Sequence, residues 1–97
     1  MPADRDIHTM LLRVRPLLGE HPDIMLDYLF YRSEIEFQKN RLDPAEVKAL
    51  RRFDLLLDKH RDWIVRQVYP LTDLNEAWSQ FDPDHWWWYL DPQKTPA

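Results

Sequence analysis

The sequence has no cysteine, and Gly19 is its single glycine among 97 residues. Without cysteine the chain can form no disulfide, thiolate metal site or cysteine nucleophile. Nucleotide-phosphate loops need several glycines, because backbone N–H groups must approach the anion closely. Sheet-rich folds likewise use glycine in their turns. These absences exclude several classes of enzyme and favour a helical fold.

The sequence also lacks a long apolar run. No stretch approaches the roughly 20 apolar residues that a membrane-spanning helix needs. The first ten residues are polar and acidic, whereas a signal peptide starts with basic residues that precede an apolar run. We therefore expect a cytoplasmic protein that does not contact a membrane.

A strong positive charge is the third missing feature. The formal net charge is −4, and only the middle of the chain, residues 44–69, carries a net positive charge. Proteins that bind nucleic acid independently of its sequence usually present a basic face. We do not expect nucleic acid as a partner, and a DNA-associated regulator is the third of three functional hypotheses.

Eight prolines divide the chain into stretches in which apolar residues recur at helical spacing. A first helix begins near Asp4 and ends or bends at Pro16, a second opens at Pro22, and a third runs to Tyr69, where Pro70 stops it. The fold class that follows is all-α: a small bundle of three main helices plus a short fourth helix. Residues 1–81 form this bundle, and residues 82–97 form a Trp-rich C-terminal segment with a frayed tail.

The third helix carries the clearest local signal. Asp43 precedes Pro44, and Glu46 follows at the third helical position, which is the pattern of a capping box. Along this helix, four apolar residues share one face and are predicted to lie in the core: Leu50, Phe53, Leu57 and Ile64. The fourth helix is predicted to start at Thr72 or Asp73 and to end near Gln80.

The second helix is apolar on more than one side. One continuous stripe at helical spacing consists of Ile24, Tyr28, Tyr31, Ile35 and Leu42. Other apolar residues surround its first half, namely Met25, Leu26, Leu29 and Phe30. One antiparallel neighbour cannot cover all of this surface. We therefore expect a homo-oligomer, with Met25, Leu29 and Phe30 among the partner-binding residues.

Three tryptophans and a tyrosine follow one another near the C-terminus, as Trp86, Trp87, Trp88 and Tyr89. Three successive side chains cannot all point inward from a regular element. The segment is therefore either a lid on the bundle or a docking patch, since tryptophan is enriched in interface hot spots. We expect a mixture, in which Trp86 and one neighbour pack inward and the remaining ring contacts a second chain.

Few residues of the sequence are arranged in a way that indicates catalysis or metal binding. Neither Ser33 nor Ser79 lies at a strand–turn–helix elbow of the kind that hydrolases use. His60 lies between core positions of the third helix, where a histidine is usually a boundary or core residue with one hydrogen bond. Carboxylates could gather near it between the second and third helices, from Glu34, Glu36, Asp54, Asp58 and Asp62. No Glu-x-x-His pair of the kind found in di-metal bundles occurs.

These observations favour a non-enzymatic helical module for protein–protein interaction, such as an adaptor, an assembly factor or a small regulator. It would associate with itself or dock another protein, and it needs no cofactor or metal. The alternative is a small helical enzyme or metal-binding subunit that uses the carboxylates and His60.

Overall fold

The computed structural model of the protein describes residues 7–94. Helical residues make up 72% of this span and no strand occurs in it, so the predicted all-α fold is confirmed. The α-helices are α1 (Ile7–Val14), α2 (Pro22–Glu36), α3 (Pro44–Lys59), α4 (Arg61–Trp63) and α5 (Leu74–Gln80). A π-helix covers Ile64–Val68, and 3₁₀-helices cover Lys39–Arg41, Tyr69–Leu71 and Trp86–Trp88. The predicted helix start near Asp4 and the last residues of the predicted tail lie outside the described residues.

The turn between α1 and α2 follows the proline and glycine signals. Helix α1 ends at Val14, two residues before Pro16, which has no N–H to continue the hydrogen-bond ladder. Gly19 has φ 82°, a left-handed conformation that glycine adopts without steric cost. Pro22 then occupies the first position of α2, as predicted.

Helix α3 begins with the predicted capping box. The backbone N–H of Glu46 donates to the Asp43 carboxylate at 2.8 Å, and the backbone N–H of Asp43 donates to the Glu46 carboxylate at 3.0 Å. Two N–H groups that the helix leaves free are thereby satisfied. In the same way Asp73 caps α5, by accepting from the N–H groups of Asn75 and Glu76.

The prediction of one continuous third helix up to Tyr69 is wrong. Helix α3 ends at Lys59, and His60 leaves the helical conformation with φ −106° and ψ 23°. After the short α4 the chain widens into the π-helix, where the N–H of Tyr69 donates to the carbonyl of Ile64. The wider turn changes which residues share a face, so that Val68 and the adjacent Tyr69 are both buried. Hydrophobic spacing alone does not signal this change.

All four predicted core residues of the third helical stretch are confirmed. Leu50, Phe53, Leu57 and Ile64 are buried, and the last two have no exposed surface. Helix α1 packs against α3, and α2 packs against the π-helix. The C-terminal segment adds three further side chains to the same core: Trp87, Trp88 and Leu90. Within residues 7–94, no helix is long and apolar enough to cross a membrane.

The fold buries only part of the predicted apolar stripe of α2: Tyr28 and Ile35 are buried, Ile24 is not, and Leu42 lies beyond the end of the helix at Glu36. Ile24 is 42% exposed, whereas Met25 and Leu29 have no exposed surface. Two polar residues, Arg32 and Ser33, are buried on the inner face as well, which a pattern of apolar residues cannot reveal. Since this chain itself covers Met25 and Leu29, the reason given above for self-association no longer holds. The oligomeric state itself stays a prediction.

Candidate docking surface

The tryptophan run forms a 3₁₀-helix, in which successive side chains point about 120° apart. Trp87 and Trp88 have no exposed surface, whereas Trp86 is half-buried. The inward pair is therefore Trp87 and Trp88, and not the predicted pair that included Trp86. The physical reason is that Trp87 and Trp88 both pack against α2, with Trp88 also stacked on Phe81, whereas Trp86 points towards α3.

The hydroxyl of Ser33 joins α2 to this segment. The indole Nε1–H groups of Trp87 and Trp88 lie 3.0 and 2.9 Å from Ser33 Oγ, and His85 Nδ1 lies 2.9 Å from it. An indole nitrogen can only donate, so the hydroxyl accepts twice and gives its single proton to His85. Its hydrogen-bonding capacity is then full. We call Ser33, His85, Trp87 and Trp88 the Ser33 cluster.

This arrangement fixes the state of both polar side chains. Because the two indoles occupy the lone pairs of a hydroxyl with no exposed surface, Ser33 is not placed to act as a nucleophile. His85 must accept at Nδ1, which assigns it the neutral form with its proton on Nε2. Burial lowers the pKa of His85 below its usual value, and the nearby Asp82 opposes this effect. The Ser33 cluster is therefore structural.

A buried ion pair locks the neighbouring part of α2. The guanidinium of Arg32 holds Asp54 of α3 with two hydrogen bonds, of 2.7 and 3.0 Å, and holds Glu36 with a third of 3.0 Å. Its carbon also lies 4.2 Å from the centre of the Trp87 ring, in a cation–π contact. Burial alone would raise the pKa of Glu36, but hydrogen bonds from Lys39 and Arg32 outweigh it and the pKa is lowered. Arg32 thus ties α2, α3 and the C-terminal segment together.

Further hydrogen bonds hold the backbone of the tryptophan run. The phenol of Tyr69 donates to the carbonyl of Trp87 at 2.6 Å, and the indole of Trp78 donates to the carbonyl of Trp88 at 2.8 Å. Burial raises the pKa of Tyr69, so the phenol keeps its proton. No buried side-chain nitrogen or oxygen lacks a partner in the part of the chain that the structure describes. The segment is consequently held rigidly.

The seven predicted partner-binding residues are not equally accessible. Four of them are fully covered by this chain, namely Met25, Leu29, Trp87 and Trp88. Phe30 and Tyr89 are half-buried and engaged, Phe30 with the Trp88 ring at 4.8 Å and Tyr89 with the Trp78 ring at 6.1 Å. Trp86 has a free side, so partner contact in this state would fall mainly on Trp86.

Trp86 lines a shallow groove on the outer face of α3, with a volume of about 550 Å³. Its other lining residues all come from α3 and α4: Arg51, Asp54, Leu55, Asp58 and Arg61. Leu55 is 68% exposed. The Trp86 ring contacts the Trp87 ring edge-to-face at 5.6 Å, and Trp87 in turn lies beneath Arg32. The exposed face of Trp86 is thus supported from behind by the core.

Sequence reasoning missed Leu55 as a candidate. The signal was present, because Leu55 is flanked on its helix by charged residues and lies off the buried stripe of Leu50, Phe53 and Leu57. An exposed leucine on its own is common and carries no meaning. Its significance depends on Trp86, which lies 31 positions further along the chain and reaches the groove only through the fold. Tertiary structure was therefore needed to identify the pair.

The charges that border the groove differ in how they are engaged. Asp54 is held by Arg32, and Asp58 forms an ion pair of 2.6 Å with Arg61 in which both side chains are more than half exposed. Arg51 is exposed and forms no ion pair with any residue of the described span 7–94. The groove therefore offers an apolar floor beside one unpaired positive charge.

Three of the five carboxylates of the metal hypothesis are paired with arginine, namely Glu36, Asp54 and Asp58. No group of three or more metal-ligating side chains gathers among residues 7–94. Asp54 and Asp58 have the arginine partners described above, and His60 Nδ1 lies 3.0 Å from the carbonyl of Leu56 in its own helix. This single local contact matches the boundary role that the sequence predicted for His60. The metal-binding alternative receives no geometric support from the described residues.

Comparison with protein-family models, with curated proteins and with solved structures found no match to this chain.

Proposed function

We propose that this chain, a bundle of three main helices, is a non-enzymatic module that docks another protein chain through the groove between Leu55 and Trp86. The observation that carries the proposal is this pairing of an exposed leucine with a tryptophan whose far side is packed on the core. Hot spots of protein interfaces combine a large aromatic anchor with neighbouring apolar surface and a polar rim. The groove has each of these parts.

Rigidity supports the same conclusion. Ordering side chains on binding costs entropy, and a preformed site avoids that cost. Trp86 rests on Trp87, which the Ser33 hydroxyl and the Arg32 guanidinium hold in place. We infer that the buried polar contacts serve the surface indirectly, because they fix the ring that a partner would meet.

The test compares two leucines of nearly equal exposure. Leu55 is 68% exposed on α3, and Leu12 is 73% exposed on α1. Leu55→Lys should abolish binding of the physiological partner, whereas Leu12→Lys should retain it. The tagged variants are expressed in the native host at equal levels, and each partner that is recovered is identified, purified and titrated against both variants. Equal affinity of both variants for that partner would contradict the proposal.

Both substitutions must leave the fold intact for this comparison to be meaningful. Since each replaces an exposed side chain, the free energy of unfolding should change by no more than about 0.5 kcal/mol. Urea unfolding, followed by circular dichroism, verifies this for each variant.

A further inference from the structure

We infer that the occupant of the Leu55–Trp86 groove is a second copy of this chain, with the two α3 helices antiparallel about a two-fold axis beside Leu55. This inference rests on the docking function proposed above and names the partner. Most soluble oligomers are symmetric dimers in which the same patch meets itself. A patch that serves both sides must be self-complementary, and the outer face of α3 meets this requirement.

The charges next to the groove are arranged for antiparallel pairing. Arg51 precedes Leu55 by four residues and Asp58 follows it by three, so both lie on the groove side of the same helix face. An antiparallel two-fold near Leu55 places Arg51 of one copy opposite Asp58 of the other, and the symmetry makes this contact twice. Arg51 has no ion pair within residues 7–94 and is free to form it.

A parallel arrangement would instead place Arg51 against Arg51 and Asp58 against Asp58, which is repulsive. The Arg51–Asp58 pair on the groove side therefore favours the antiparallel orientation.

The apolar centre is complementary as well. The two-fold brings Leu55 of both copies together, with one Trp86 on either side, so that each exposed apolar group covers another. The contact is small, because one helix face and one ring come from each copy. Interfaces of this size are weak or transient. We expect the dimer to be populated at high micromolar concentration and to dissociate on dilution.

Two charge reversals and their mixture test the arrangement. Arg51→Asp should weaken self-association by at least about tenfold, because the introduced carboxylate would face Asp58 twice, and Asp58→Arg should do the same by placing arginine against Arg51. An equimolar mixture of the two variants should associate about as tightly as the wild-type protein, since both contacts of the mixed dimer join an arginine of one copy to a carboxylate of the other. Sedimentation equilibrium over micromolar to millimolar concentrations measures the association constants of the wild-type protein, of each variant and of the mixture. Leu12→Lys is the control and should dimerise normally.

The outcomes separate this inference from the proposed function. A wild-type protein that stays monomeric to millimolar concentration, or a mixture that associates no better than either variant alone, overturns the self-pairing. If a different protein nevertheless loses its affinity in Leu55→Lys and keeps it in Leu12→Lys, the docking function stands with another occupant. Recovery of association in the mixture supports the antiparallel pair directly, because no change in the fold of either variant could produce it.

Discussion

Replacing Ser33 with alanine removes a single oxygen atom, yet that oxygen accepts from two buried indole N–H groups and donates to His85. Trp87 and Trp88 have no exposed surface, so water cannot take over as the acceptor without opening the core. The Ser33→Ala protein would therefore bury two donors with no partner.

The expected loss of stability follows from these two indole N–H groups without an acceptor. Each buried donor that loses its partner costs about 1–3 kcal/mol, so Ser33→Ala should lower the free energy of unfolding by about 2–6 kcal/mol. The total free energy of unfolding of a small domain is about 5–15 kcal/mol. A domain of this size loses about 4–8 °C of melting temperature per kcal/mol, so the midpoint should fall by about 8 °C or more.

Ser79→Ala is the matched control. Ser79 also lies on a helix, but its side chain is exposed and donates only to the carbonyl of Glu76. Its loss should change stability by no more than about 0.5 kcal/mol. Both variants are unfolded by heat and by urea at about pH 7.5, where His85 is neutral in the folded and unfolded chain, with circular dichroism and tryptophan fluorescence as probes. Equal midpoints for the two variants would refute the hydrogen-bond assignment at Ser33.

Three further predictions follow from the same contacts. The free energy of unfolding should fall as pH drops below about 6.5, because His85 in the unfolded chain then binds a proton that the folded state, with its lowered pKa, resists. In urea titrations, His85→Gln should make the free energy of unfolding depend less on pH. A pH dependence equal to that of the wild-type protein would contradict the role of His85. Trp87→Ala should cost about 3–5 kcal/mol, and Trp86→Ala less than half of that. Similar losses at both positions, measured by urea unfolding, would contradict the burial difference. Arg32→Lys should cost about 1–3 kcal/mol, since lysine cannot bind Asp54 with two parallel hydrogen bonds; stability equal to that of the wild type would argue against the pair.

The helix starts were predictable because the residues that determine them are adjacent in the sequence. The capping box of Asp43 and Glu46 and the proline at position 22 act through the residues beside them, so the starts of α2 and α3 were correct. Asp73 was one of two candidates for the cap of α5 for the same reason.

What the sequence did not disclose depends on contacts between distant residues. Ser33 was considered only as a weak candidate nucleophile, and its true role depends on indoles more than 50 positions away. The burial of Arg32 was likewise not predicted, because its charge is compensated by Asp54 on another helix. Each of these features requires knowledge of which elements become neighbours.

The most direct test of the docking function is site-specific photo-crosslinking at Leu55. A photoreactive phenylalanine analogue is placed at position 55 in one protein and at position 12 in another, since both positions are exposed to a similar extent. After irradiation in native cells, position 55 should yield a discrete cross-linked protein chain, identified by mass spectrometry as a second copy of this protein if the self-pairing is correct. Position 12 should yield none. Absence of a discrete product at position 55, or the same product from both positions, would contradict a docking surface centred on Leu55 and Trp86.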